Sequence, residues 1–249
     1  MANKGQAALF IVIAVFLIVA IWMAALNPSR TSAPPLVADE SDGDALIEST
    51  AQSCLKILTE REIHRLTRWG GFSERPTEPG AEIPSVDLRS EPPNNTATLE
   101  TIQKSLSRRV GEQFPACVQE SMPSRFQTSV GDAQSTITIQ PQTVTALINA
   151  QVSATIGGRT FTRHEFSTRL NIPLYPLIET YLSIVQELAS DPESTCISCL
   201  NDLAKKNRQK IEKIDTDPIT TLFIITQEGI ETEGYPLEFI FGANRGGQP

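Results

Sequence analysis

Apolar positions follow three patterns in succession along this chain: an unbroken run, then steps of three and four residues, then alternation. The run, from Ala7 to Leu26, is twenty consecutive apolar residues without a charge. At ~1.5 Å of rise per residue a helix of that length spans about 30 Å, the hydrocarbon thickness of a bilayer, so the pattern predicts a transmembrane helix over residues 6–26. A buried helix of a soluble domain is usually shorter and apolar on one stripe only. A cleaved secretory signal has an apolar stretch of about 7–15 residues, although Met23-Ala24-Ala25 supplies a small-residue cleavage point here.

Residues 27–44 carry Pro28, Pro34 and Pro35 and then Asp39, Glu40, Asp42 and Asp44, which reads as a Pro/Ser/acidic spacer. From Ala45 the residues Ile47, Ala51, Cys54, Leu55, Leu58, Leu66 and Trp69 return at helical steps. They predict an amphipathic helix started by Asp42 or Asp44 and stopped at Gly70-Gly71. Residues 74–98 hold five prolines and read as a surface excursion. A second helix is expected over about 99–122, its stripe formed by Leu99, Ile102, Leu106, Val110, Phe114, Cys117 and Val118, with Pro115 kinking it.

The period then drops to two. Strands are predicted at 135–140, 144–156 and 159–172, the last pair joined by the hairpin signal Gly157-Gly158. A third helix carries Leu177, Ile178, Tyr181, Leu182, Val185 and Leu188; Asp191-Pro192 ends it and opens a fourth near 194–207. Further strands are expected at 210–215, 220–227 and 237–242. The sum is one extracellular α+β domain over 45–242, with about four helices on one face of an antiparallel sheet, and a disordered tail over 243–249.

Charge sets orientation and excludes one class of partner. Lys4 and the terminal amine precede the apolar run and Arg30 follows it, so the N-terminus is placed in the cytoplasm and the C-terminal domain outside the cell membrane. The whole chain carries −8 and Lys4 is the sole charged side chain before Asn27, leaving −9 on the rest. A domain this acidic is a poor match for phosphate backbones, which argues against nucleic acid as a partner.

Four cysteines facing an oxidising exterior imply disulfides, and three pairings are possible. Cys54 and Cys117 both lie on apolar helix stripes, which favours a staple between those helices; two buried thiols are the alternative. Cys196-Ile197-Ser198-Cys199 reads as a local disulfide or a redox pair, depending on where its helix begins. With Ser194 or Thr195 as cap the two sulfurs sit at the helix mouth, whereas a start at Pro192 puts them mid-helix, where bridging distorts the turn. A thioredoxin-like pair follows a strand, and the segment before Cys196 reads as helix and loop. Zinc is not expected, because Cys54 and Cys117 supply no second Cys-x-x-Cys.

Little else invites chemistry. Asn94-Asn95-Thr96 is a glycosylation sequon on Asn94. His64 and His164 are expected at the surface, no nucleophile elbow appears, and the glycines of 242–247 have no helix after them to receive a phosphate. No catalytic residue, metal site or cofactor is therefore assigned.

Lys4-Gly5-Gln6, followed at once by the apolar run, resembles the class III signal peptide of archaeal type IV pilin-like proteins. That resemblance implies a prepilin peptidase as partner, cutting after Gly5 in a 1–5 leader to leave Gln6 at the N-terminus. It covers only about the first 26 residues and departs at Phe10, where such pilins carry a Glu that registers subunits. The wider layout is similar to uncharacterised surface proteins of small-genome archaea. The expectation is a single-pass, bilayer-anchored surface protein, not an enzyme, with a structural or adhesive domain that binds another surface protein or itself. A pilin-like filament subunit is the second reading, and an extracellular thiol-disulfide protein the third.

Overall fold

The computed structural model of the chain describes residues 43–72, 85–88, 96–191, 196–216 and 219–244. The apolar run 7–26, the leader at Gly5 and Gln6, residues 27–42 of the spacer and Asn94 lie outside them, whereas Gly43 and Asp44, expected in the spacer, already belong to a helix. Among the described residues no helix is long and apolar enough to cross a membrane.

Helix α1 runs Gly43–Arg68 with Asp44 in its first turn and Arg65 and Arg68 in its last, charges that complement the helix dipole. Its end is set by backbone geometry. Gly70 and Gly71 adopt φ of 62° and 88°, and the Gly71 N–H donates back to the Leu66 carbonyl at 2.9 Å. Helix α2, Leu99–Ser121, begins in a capping box: the Thr98 side chain accepts from the Thr101 N–H, and the Thr101 side chain accepts from the Thr98 N–H. It runs through Pro115, whose missing N–H would have met the carbonyl of Gly111.

The strands form two sheets rather than the single antiparallel sheet expected from the pattern. In one, the order is β1(Ser85–Asp87), β8(Tyr235–Asn244), β7(Thr220–Thr232), β6(Gln209–Asp215), and β1 runs parallel to β8 with Val86 opposite Ala243. In the other, β4(Val144–Ile156) is central. It pairs along one edge with β5(Arg159–Leu170), and along the other successively with β3(Gln134–Ile139) and β2(Gln127–Val130). The gap between β2 and β3 faces the point where β4 shifts register, and the Gly131 N–H there donates to the Gln151 carbonyl at 2.8 Å. Among the described residues no further strand pairs beyond β3; instead the Ile137 N–H donates to Ser107 Oγ of α2 at 2.9 Å, which helps to cover that edge. The β4–β5 hairpin turns at Gly157 and Gly158, both with positive φ, as their sequence predicts.

Among the boundaries that differ from the sequence reading, three strands do so for identifiable reasons. The Pro-rich excursion contains strand β1, three residues too short to show a period. Strand β7 continues past Glu228-Gly229 through a register shift and turns only at Glu233-Gly234, with φ of 54° and 78°. Strand β8 extends to Asn244, so Ala243 and Asn244 belong to the sheet and not to a tail.

Helix α1 is long enough to pack on β4 and β5 with one half and on β8 with the other. Gly43 lets its first turn approach β5: a Cβ there would lie 2.4 Å from the Phe161 ring. On the β8 side, helix α3(Leu174–Ser190) inserts Tyr181, fully buried, between Phe239 and Phe241 at ring distances of 4.7 and 4.8 Å. Helix α4(Ile197–Asn207) leans on α3 and β6 through buried Leu200 and Ala204.

Candidate functional site

Both disulfides close as local geometry requires. Ile47, Ala51, Cys54, Leu55 and Leu58 form the buried stripe of α1, and Ile102, Leu106, Val110, Phe114 and Val118 that of α2. Their apposition brings Cys54 and Cys117 to a Cα separation of 5.9 Å and bonds their sulfurs. Nearby, the buried Glu62 carboxylate accepts from Arg65 Nε at 2.8 Å and from Gln113 Nε2 at 2.7 Å. A second, polar clasp thus holds the same two helices.

The second disulfide is built differently. Cys196 is itself the N-cap of α4, a placement neither of the expected helix starts gives, and Cys199 occupies the third helical position. The bonded sulfurs therefore span one open turn at the helix mouth, with Cα atoms 5.2 Å apart. Cys196 Sγ accepts the Cys199 N–H at 3.2 Å, and Ser198 Oγ lies 3.4 Å from the same sulfur. Cys196 is half-buried, Cys199 exposed, and Ile197 between them is 64% exposed, the most exposed large apolar side chain among the described residues.

Helix α3 returns to this point. A carboxylate oxygen of half-buried Glu187, in its last turn, lies within 4.8 Å of both sulfurs. Three potential metal-ligand atoms meet here, but with both sulfurs committed to a disulfide only the carboxylate retains a strong donor. The pattern of Cys-x-x-Cys was legible in sequence; Glu187 was not, because its relevance depends on α3 and α4 packing side by side. A buried polar chain fixes that packing. Asn207 Nδ2 donates to Thr180 Oγ1 at 2.8 Å, Thr180 donates to Gln209 Oε1 at 2.7 Å, and Gln209 Nε2 donates to Gln227 Oε1 at 3.2 Å.

The histidines divide. His164 is exposed on β5, as expected, whereas His64 is half-buried, its ring 5.4 Å from that of Tyr235 and its Nδ1 3.5 Å from Thr232 Oγ1. Burial and then the Arg68 charge lower its pKa, against the opposing pull of Glu233 and Glu238. A groove of about 670 Å³ between α2 and the β2–β3 junction is lined by Arg108, Glu112, Gly111 and Asp132. Arg108 and Glu112 pair across one helical turn at 3.0 Å. The groove gathers no set of groups suited to acid–base or nucleophilic work.

No family model matches the chain, and no curated protein or solved structure matches it.

Proposed function

We propose that the protein is a single-pass, membrane-anchored surface protein whose domain beyond residue 43 serves a structural or adhesive role outside the cell. The observation that carries this reading is the uncharged run of twenty apolar residues, Ala7 to Leu26, followed by a proline-containing acidic spacer. Three features of the domain support it. Its cysteines are all paired. Two clasps hold α1 to α2, as suits a part that must keep its shape on an exposed surface. The side of β4 and β5 away from the core carries cross-strand hydroxyl pairs toward the hairpin end, Ser153 with Thr162 at 3.0 Å and Thr155 with Thr160 at 2.9 Å; toward the other end Thr136 and Thr138 of β3 lie opposite Leu147 and Thr145, and Glu165 and Arg169 of β5 share the face. Such a surface suits broad polar contact better than catalysis.

A pilin-like subunit is the second reading, favoured by Lys4-Gly5-Gln6 ahead of the apolar run. Protease added to intact cells tests the main proposal. The domain should be cut while the protein stays in the membrane fraction until then; a domain that remains protected reverses the topology. Sequencing of the mature N-terminus then separates an unprocessed anchor from a chain beginning at Gln6.

A further inference from the structure

The two disulfides differ in what they hold. Cys54–Cys117 joins residues 63 positions apart, while Cys196–Cys199 joins residues three apart within a turn already bounded by the helix. Loop-closure entropy makes the first a strong constraint on the unfolded chain and the second a weak one. Leu200, Ala204 and the Asn207–Thr180–Gln209 chain anchor α4 without help from its sulfurs. Opening Cys196–Cys199 therefore leaves the fold in place.

We propose that Cys196–Cys199 is a thiol-disulfide exchange site, oxidised in the form seen here, that accepts electrons from dithiols of partner proteins. The inference goes beyond the anchoring role and does not depend on it. The asymmetry of the site assigns the roles. Cys199 is the more exposed residue, and its sulfur receives the partner's first thiol as thiolate, the proton passing to solvent, from which Cys196 later regains one. As its bond to Cys196 breaks, the electron pair leaves on Cys196, where the Cys199 N–H, the Ser198 hydroxyl and the positive end of α4 stabilise the thiolate. The partner is now joined to Cys199 in a mixed disulfide. Its second thiol gives its proton to Glu187 and attacks the partner's own bonded sulfur, and the pair leaves on Cys199. In net, the two protons of the partner dithiol end on Cys196 and Cys199, the partner leaves as a disulfide, and an external low-molecular-weight disulfide restores the site by the reverse exchange.

Two features beyond the sulfurs point to a partner. Ile197 presents an apolar side chain between the cysteines, where a peptide flanking the attacking thiol would rest. Glu187 comes from another helix, and a carboxylate oxygen within 4.8 Å of both sulfurs is placed to exchange protons with them through one intervening water.

The test uses the full chain in membranes or detergent, titrated with mixtures of reduced and oxidised dithiothreitol, quenched with acid, alkylated and mapped by peptide. Cys196–Cys199 should open completely while Cys54–Cys117 stays closed and far-ultraviolet circular dichroism is unchanged. A fluorescent peptide disulfide then probes the single variants in the same preparation. In alkaline buffer, where both thiols are ionised and access alone is compared, Cys196→Ser should capture the peptide on Cys199 at least about tenfold faster than Cys199→Ser captures it on the half-buried Cys196. Glu187→Gln should slow reduction of the wild-type pair by a peptide dithiol by about tenfold and alter its pH–rate profile, with Glu187→Asp recovering part of the rate. Loss of both disulfides at the same dithiothreitol ratio, or equal capture rates for the two serine variants, overturns the proposal.

Discussion

Tyr181→Phe is expected to destabilise the domain at neutral pH and to match or exceed the wild type in strong alkali. The Tyr181 ring is fully buried against Phe239 and Phe241, and its hydroxyl oxygen accepts the Ala97 N–H at 3.0 Å. Removing that oxygen leaves a buried N–H without its partner, at a cost of about 1–2 kcal/mol. Burial, partly offset by the Ala97 N–H, pushes the phenol from 10.0 up to about 12. The folded state thus keeps the phenol neutral where the unfolded chain ionises. A raised folded value means that the contribution is complete below pH 10 and is lost as pH climbs through 12. Linkage puts the loss at about 1.4 kcal/mol by pH 11 and at nearly 3 kcal/mol beyond 12, and the phenylalanine variant has no such loss. The two stability curves should therefore cross near pH 11. Urea melts of both proteins at half-unit steps from pH 8 to 11.5, followed by circular dichroism, measure the gap directly. A gap that stays constant over that range would show that Tyr181 does not couple folding to pH and would refute the reasoning.

Other expectations are as sharp. Replacing Cys54 and Cys117 together by Ala should cost about 4 kcal/mol by the loop-entropy relation, read as a lower denaturant midpoint in non-reducing buffer, with surface location unchanged. Because burial and Arg68 depress the His64 pKa, its contribution is present above the ordinary value of 6.5 and is lost as pH falls; His64→Gln should flatten the stability profile on the acid side. Gly71→Ala forces a side chain into φ +88° and to 2.5 Å from the Ala97 methyl, so it should lower the melting temperature far more than Gly158→Ala, where φ is +80° but no atom lies within 4 Å. A chain begun at Pro34 should leave the membrane fraction and sediment as a monomer.

What could be read in the sequence was what local periodicity encodes. The stripes of α1 and α2 carry three- and four-residue steps strong enough to place Cys54 and Cys117 toward a common core. The Gly157-Gly158 turn announces itself because both residues need positive φ. The division into two sheets was not legible. Strand β4 has the same alternation whether its neighbours belong to one sheet or another, and the parallel β1–β8 pair joins segments about 157 residues apart that share no local signal. Strand β2 was missed because Gln127-Thr128-Ser129-Val130 offers a single large apolar residue. At the candidate site the same limit applies: the cysteine spacing is written locally, but Glu187 reaches the sulfurs only because a buried hydroxyl and amide chain locks α3, α4 and β6 together.

That lock also decides which element of the domain is free to do chemistry. A disulfide that supplies much of a fold's stability is poorly suited to cycling, since each reduction would loosen the structure presenting it. Here the constraint resides in α1 and α2, through Cys54–Cys117 and the Glu62–Arg65–Gln113 clasp. Helix α4 is anchored from its buried face and its C-terminal end, leaving the sulfurs at its N-terminus structurally redundant. Redundancy of a bond, exposure of one cysteine and a carboxylate beside both sulfurs are three separate properties. Their convergence at Cys196–Cys199 and not at Cys54–Cys117 is what distinguishes a site that can exchange electrons from a rivet.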